Sequence, residues 1–147
     1  MKRKNYIICL FYCLMGYLSA QAQVDKKQYL IGNWKLTKLE IPTMEQAIQQ
    51  ASPNERAQLK QELATMMRYA FFEFKADGTY HIIFGGDDEK GKWRLNPYGS
   101  KLYIQRRTAE GTYEEEDQIG VEVLEKKSLI ILNEYDTGEV IRMALVK

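Results

Sequence analysis

The chain has 147 residues with a formal net charge of +1, two cysteines and one histidine, and 45% of its residues are hydrophobic. This balance excludes the strongly basic surface of a nucleic-acid binder. A zinc site needs three or four ligands, and the single histidine has no second histidine beside it; both cysteines, Cys9 and Cys13, lie near the N-terminus in a stretch that reads as a leader.

Lys2, Arg3 and Lys4 give a positive start, and residues 6–18 form an almost uninterrupted apolar run. At roughly 13 residues, that run is shorter than the ~20 a membrane-spanning helix needs. Ser19-Ala20-Gln21-Ala22 then supplies the small residues of a cleavage site. Residues 1–22 therefore read as a secretory signal, cut after Ala22. Cys9 and Cys13 both fall inside it, and Tyr12 stands where a lipidation signal wants a small residue. The expected mature chain, residues 23–147, is periplasmic or secreted and has no cysteine. Losing three cations and no acid takes its formal charge from +1 to −2. About 125 residues make one domain, with a core large enough to stand without disulfides or metal.

Residues 29–31 read as a short turn of helix packed under the barrel that the strands form. Gly32-Asn33-Trp34-Lys35-Leu36 opens the first strand, expected over 33–39, with Trp34 and Leu36 on one face. Glycine lets the backbone sit against a ring, and a tryptophan two residues on closes one end of a barrel. Residues 42–69 break the alternation. Thr43 with Gln46 resembles a capping box, and Met44, Ala47, Ile48 and Ala51 fall on one helical stripe. Ser52, Pro53 and Glu55 start a second helix, with Leu59, Leu63, Met66, Met67 and Ala70 as its stripe.

The remainder reads as short strands over 71–75, 79–84, 91–95, 101–107, 117–124, 128–135 and 139–146. Asp77-Gly78 is a hairpin signal, and residues 85–88 and 96–99 are further turns. Gly91-Lys92-Trp93 repeats the pattern of the first strand. Roughly eight strands at about 8–12-residue spacing predict a mainly β fold, an up-and-down antiparallel β-barrel with a helical insertion between strands 1 and 2. Alternation turns Phe72, Phe74, Tyr80, Phe84, Trp93 and Ile104 inward, with Ile119, Val121, Val123, Ile141, Met143 and Leu145 continuing the set. Arg106 shares that face, where it needs a ligand anion or a carboxylate such as Asp117, unless it leaves the core for water. His81 falls on the opposite face. The carboxylate runs at 87–89 and 114–117 lack the alternation of a calcium loop and read as solvated turns.

Three stretches, residues 31–38 (IGNWKLTK), 72–80 (FEFKADGTY) and 91–95 (GKWRL), carry a resemblance. With the leader and the strand count, the chain resembles the lipocalin-like domain proteins of the calycin superfamily, of the kind exported by Bacteroidetes-type bacteria. That resemblance implies a calyx for a small hydrophobic molecule. It also implies an arginine or lysine from the end of the barrel over the motif tryptophan, a place open to Arg142 or Lys147. The helical pair is similar to the portal lid of fatty-acid-binding proteins. Their carboxylate-holding Arg-x-Tyr is here Arg142-Met143-Ala144, so that clamp is not carried over.

The leading expectation is a binding protein without cofactor or metal and with no membrane span in the mature chain. Phe72, Phe74, Tyr80, Phe84, Trp93, Ile104 and Arg106 are the candidate lining, and Met44, Ile48, Leu63, Met66 and Met67 the candidate lid. Gly32, Trp34 and Gly91 are structural. The alternative is a self-filled barrel acting as an interaction or structural module towards a protein partner. A void of several hundred Å³ favours the first. Without a cysteine, and with its single histidine facing outward, the chain is not expected to be an enzyme.

Overall fold

The structure is a computed structural model that describes residues 25–135 and 137–147; the leader read over 1–22, with Cys9 and Cys13, lies outside the described residues. Eight strands run in chain order: β1 (Gly32–Glu40), β2 (Phe71–Phe74), β3 (Thr79–Phe84), β4 (Asp87–Leu95), β5 (Lys101–Arg106), β6 (Asp117–Leu124), β7 (Ser128–Glu134) and β8 (Val140–Val146). Each pairs antiparallel with its sequence neighbour, and β8 returns to β1, closing the barrel. Helix α1 (Lys26–Leu30) precedes β1, while α2 (Pro42–Gln50) and α3 (Pro53–Tyr69) lie between β1 and β2. Among the described residues no helix is long and apolar enough to cross a membrane.

The period-two pattern sets the interior. Trp34, Leu36, Phe72, Phe74, Tyr80, Trp93, Leu102, Ile131, Ile141, Met143 and Leu145 are all buried. Two register shifts alter the simple alternation. One, between Leu36 and Lys38, turns Leu39 inward. The other, between Val121 and Val123, buries Leu124 and leaves Val123 only half-buried, so the expectation for Val123 is corrected. A bulge adds one residue to one strand and reverses the faces beyond it.

One end of the barrel is shut. Trp34 Nε1 donates to the Leu30 carbonyl at 2.8 Å, which ties α1 beneath the first strand with Leu30 fully buried. Lys147 crosses over the Trp34 ring, 4.8 Å from its centroid, and donates to the carbonyls of Tyr29 and Ile31, each at 2.7 Å. Lys147 therefore takes the place over the motif tryptophan. Arg142 instead points outward and pairs with Glu122 at 2.8 Å and Glu40 at 3.2 Å. Partial burial pulls the Lys147 ammonium below the usual lysine range, while two carbonyls and the indole face stabilise its charge. Trp93 lies at the same end, donating from Nε1 to the Lys75 carbonyl at 3.1 Å and packing edge-on against Phe74.

Gly91 faces the interior, and the Tyr80 ring lies across it. A Cβ there would stand 2.0 Å from the Gln105 carbonyl oxygen and 2.7 Å from Tyr80 Cε1. Gly32 has φ of +132°, in the region that favours glycine. At the opposite end α2 begins at Pro42, with Ile41 as its N-cap, so the capping box read at Thr43 and Gln46 does not form. Pro42 suits the first helical position, and the Thr43 amide finds its acceptor in Glu139, at 2.9 Å. The second helix starts as expected, the Ser52 amide donating to Glu55 Oε2 at 3.0 Å.

Trp34→Ala is expected to cost about 3–5 kcal/mol in chemical denaturation, since it empties the shut end and orphans the Leu30 carbonyl. Gly91→Ala is expected to destabilise by about 1–3 kcal/mol, because the collision is with backbone as well as a ring; the same denaturation measurement checks both.

Candidate functional site

The ends of the barrel differ. At the end where β3 passes to β4, Gly85 and Gly86 form a two-residue turn with φ of +65° and +99°, so Phe84 pairs directly with Asp87. Strand β4 therefore begins at Asp87, not at Gly91 as the sequence pattern predicts. Positions 87, 89, 91 and 93 share the inward face, so Asp87 and Glu89 lie on a strand rather than in a turn, with Asp87 still exposed.

Those two carboxylates stand in the mouth of a pocket of about 390 Å³ inside the barrel. Its apolar walls are Phe72, Ile82, Phe84, Ile104, Ile119, Ile131 and Met143. Its polar rim is Asp87, Glu89, Arg106, Asp117, Gln118, Asn133, Glu134 and Tyr135. A larger groove of about 890 Å³ runs outside the barrel between α3 and the β3–β4 turn, walled by Gln58, Gln61, Glu62, Thr65, Met66, Tyr69 and Ile83 among others. We take the interior pocket as the candidate site, because side chains from β2 to β8 converge on it. The groove lies outside the sheet, with α3 on one side and only the end of β3 and its turn on the other. Phe84 belongs to both cavities and forms the wall between them.

Of the candidate lining residues, Phe72, Phe84, Ile104 and Arg106 line the pocket. Phe74, Tyr80 and Trp93 are buried inward but do not line it; they fill the barrel beneath. Arg106 is neither engulfed nor free. Its side chain is 48% exposed and pairs with Glu89 at 2.7 Å, with Glu114 at 3.9 Å, rather than with Asp117. The helix pair does not roof the pocket. Leu63, Met66 and Met67 pack against the edge of the core, Met44 and Ile48 are half-buried, and none of the five lines the interior cavity. Helix α3 passes into β2 through Ala70 alone and rests on β1 and β3, which holds it beside the mouth.

The site residues missed in the sequence are the acids. Asp87, Glu89 and Glu134 sit on turn-like or strand-end segments where charge reads as exposure. The signal that finds Asp87 and Glu89 is the alternation itself, carried backward from Trp93; Glu134 is one residue off the inward register of Ile131 and reaches the rim from the end of β7. His81 faces outward, Nε2 lying 2.9 Å from Asp88 Oδ1. Among the described residues no group of three or more histidine, cysteine, aspartate or glutamate side chains converges to hold a metal.

Tyr80 is the anomaly of the interior. It is 2% exposed, and among the described residues its hydroxyl has no hydrogen-bond partner. Burial pushes its phenol up to about 12, the Glu89 carboxylate adding to the rise and Arg106 opposing it. The unfolded chain then loses this proton near 10 while the fold retains it, so stability falls as pH rises from 10 towards 12. Tyr80→Phe is expected to raise stability by about 1 kcal/mol at neutral pH and to lessen that alkaline loss. Thermal melts at both pH values check this; a lower midpoint at neutral pH shows that the hydroxyl is satisfied.

No family model matches the chain, and no curated protein matches it. Among solved structures it is similar to a DUF4847 family protein from Bacteroides vulgatus ATCC 8482, at 12% identity and a TM-score of 0.55, over 80% of this chain and 93% of that one. It is also similar to a lipocalin-like protein from Bacteroides uniformis ATCC 8492, at 18% identity and a TM-score of 0.45, over 81% and 98% of the two chains. Likeness at such identity is likeness of fold, and the fold is a closed, eight-stranded, up-and-down antiparallel barrel.

Proposed function

We propose that the protein is an exported, non-catalytic binding protein that holds a small hydrophobic or amphipathic molecule at the open end of its barrel. The observation that carries this reading is the interior pocket of about 390 Å³, with an apolar floor assembled from several strands. That volume lies in the usual range for small-molecule sites, about 300–1,000 Å³. Burying apolar ligand surface contributes about 25 cal/mol per Å² before ordering costs, so micromolar binding needs no metal or covalent chemistry. Export rests on the leader read over residues 1–22. The outward position of His81, away from the pocket, supports a role without catalysis.

A second reading has its own support. Trp34, Phe74, Tyr80 and Trp93 fill the shut half of the barrel, and Tyr69 stands 68% exposed beside the outer groove. These features suit a self-filled barrel that works through its surface. The two readings part on one titration. N-phenyl-1-naphthylamine, a neutral apolar dye, is expected to bind saturably, brighten, and stabilise the fold by about 2.7 kcal/mol at a hundred times its Kd. Ile119→Trp, which fills the pocket, is expected to abolish the signal while keeping a cooperative melt. No saturable binding by the unmutated protein overturns the ligand reading and favours the filled barrel.

A further inference from the structure

We propose that the pocket selects cationic amphiphiles: an organic ammonium head held among the carboxylates of the mouth, with an alkyl or aromatic tail on the apolar floor. This rests on the binding reading and names its class of ligand. Among the described residues four carboxylates, Asp87, Glu89, Asp117 and Glu134, line the cavity against a single cation, Arg106, and no lysine lines it. Arg106 is already matched by Glu89 and Glu114. Among the described residues Asp87, Asp117 and Glu134 form no ion pair, which leaves the mouth with uncompensated negative charge at the entrance to an apolar hole.

A bare metal ion is the wrong guest for this arrangement. The acids are spread around the rim and, among the described residues, do not converge as a coordination group. An ammonium head needs no such convergence, because it is large and donates in several directions. Phe84 and Tyr135, both on the lining, add ring faces that attract a cation. An anionic head meets the opposite conditions: like charge at the entrance, and an arginine whose charge is spent.

Displacement of the bound naphthylamine dye by octylammonium, octan-1-ol and octanoate, at neutral pH and low salt, tests the inference. The tail is constant, so the head group alone changes. Octylammonium is expected to displace the dye at a concentration about tenfold below octan-1-ol, with octanoate weaker than either, and added salt is expected to narrow the gap. Asp117→Asn combined with Glu134→Gln, both at exposed rim positions, is expected to bring the displacing concentrations of octylammonium and octan-1-ol together. If octan-1-ol or octanoate displaces the dye as well as octylammonium, or if none of the three does, the charge selection is overturned and the pocket remains an apolar site. If the dye itself never binds, the binding reading fails first.

Discussion

The fold depends on the contact between its two ends. Lys147, just beyond β8, spans the face of Trp34 in β1 and donates to two carbonyls that flank the end of α1. Trp34 in turn donates to the third carbonyl of that turn, on Leu30. Three backbone acceptors that a short helix leaves open are thus satisfied by a tryptophan and a lysine. The arrangement exists only when β8 lies beside β1, so the same few atoms that shut the base also mark the closure of the sheet. Without it the buried indole N–H and the Leu30 carbonyl would lack partners, at a cost of about 1–3 kcal/mol each.

From that base the interior divides. Large rings fill the lower half: Trp34, Phe74 and Trp93 are buried, and Tyr80 reaches across the space that Gly91 leaves open. The upper half carries acids on inward positions, which a closed core could not tolerate. They are admissible because the mouth is open to water and because Glu89 shares the Arg106 charge. A packed base and a wet, charged rim are complementary: the first supplies stability, the second leaves room. Tyr80 lies between them, its ring in the core and its oxygen, without a hydrogen-bond partner among the described residues, within electrostatic reach of the charged side.

Much of the fold was legible in the residues. Period-two patterning gave all eight strands, and serine, proline and glutamate at 52, 53 and 55 marked the start of α3. The misreadings have physical causes. A Thr-x-x-Gln spacing at residue 43 resembled a cap, but Pro42 started the helix earlier and Glu139, distant in sequence, took the amide. Two bulges reversed the faces at Leu39 and Val123, and a bulge has no strong sequence signature. A stretch of acids after two glycines resembled a loop, although the glycines alone made the turn and the acids paired with β3.

The sequence by itself determined the mainly β class, the order of strands and helices, and the inward set of apolar residues. These come from local preference: alternation, turn chemistry and caps act over a few neighbouring residues. Tertiary structure alone decided which cation covers Trp34, that the helices stand beside the mouth rather than across it, and that a cavity survives above the packed rings. It also decided the partner of Arg106, because Glu89 and Glu114 reach it from a neighbouring strand and from the loop after β5. Each of these outcomes depends on distances between residues far apart in the chain, and only the register of a closed barrel sets those distances.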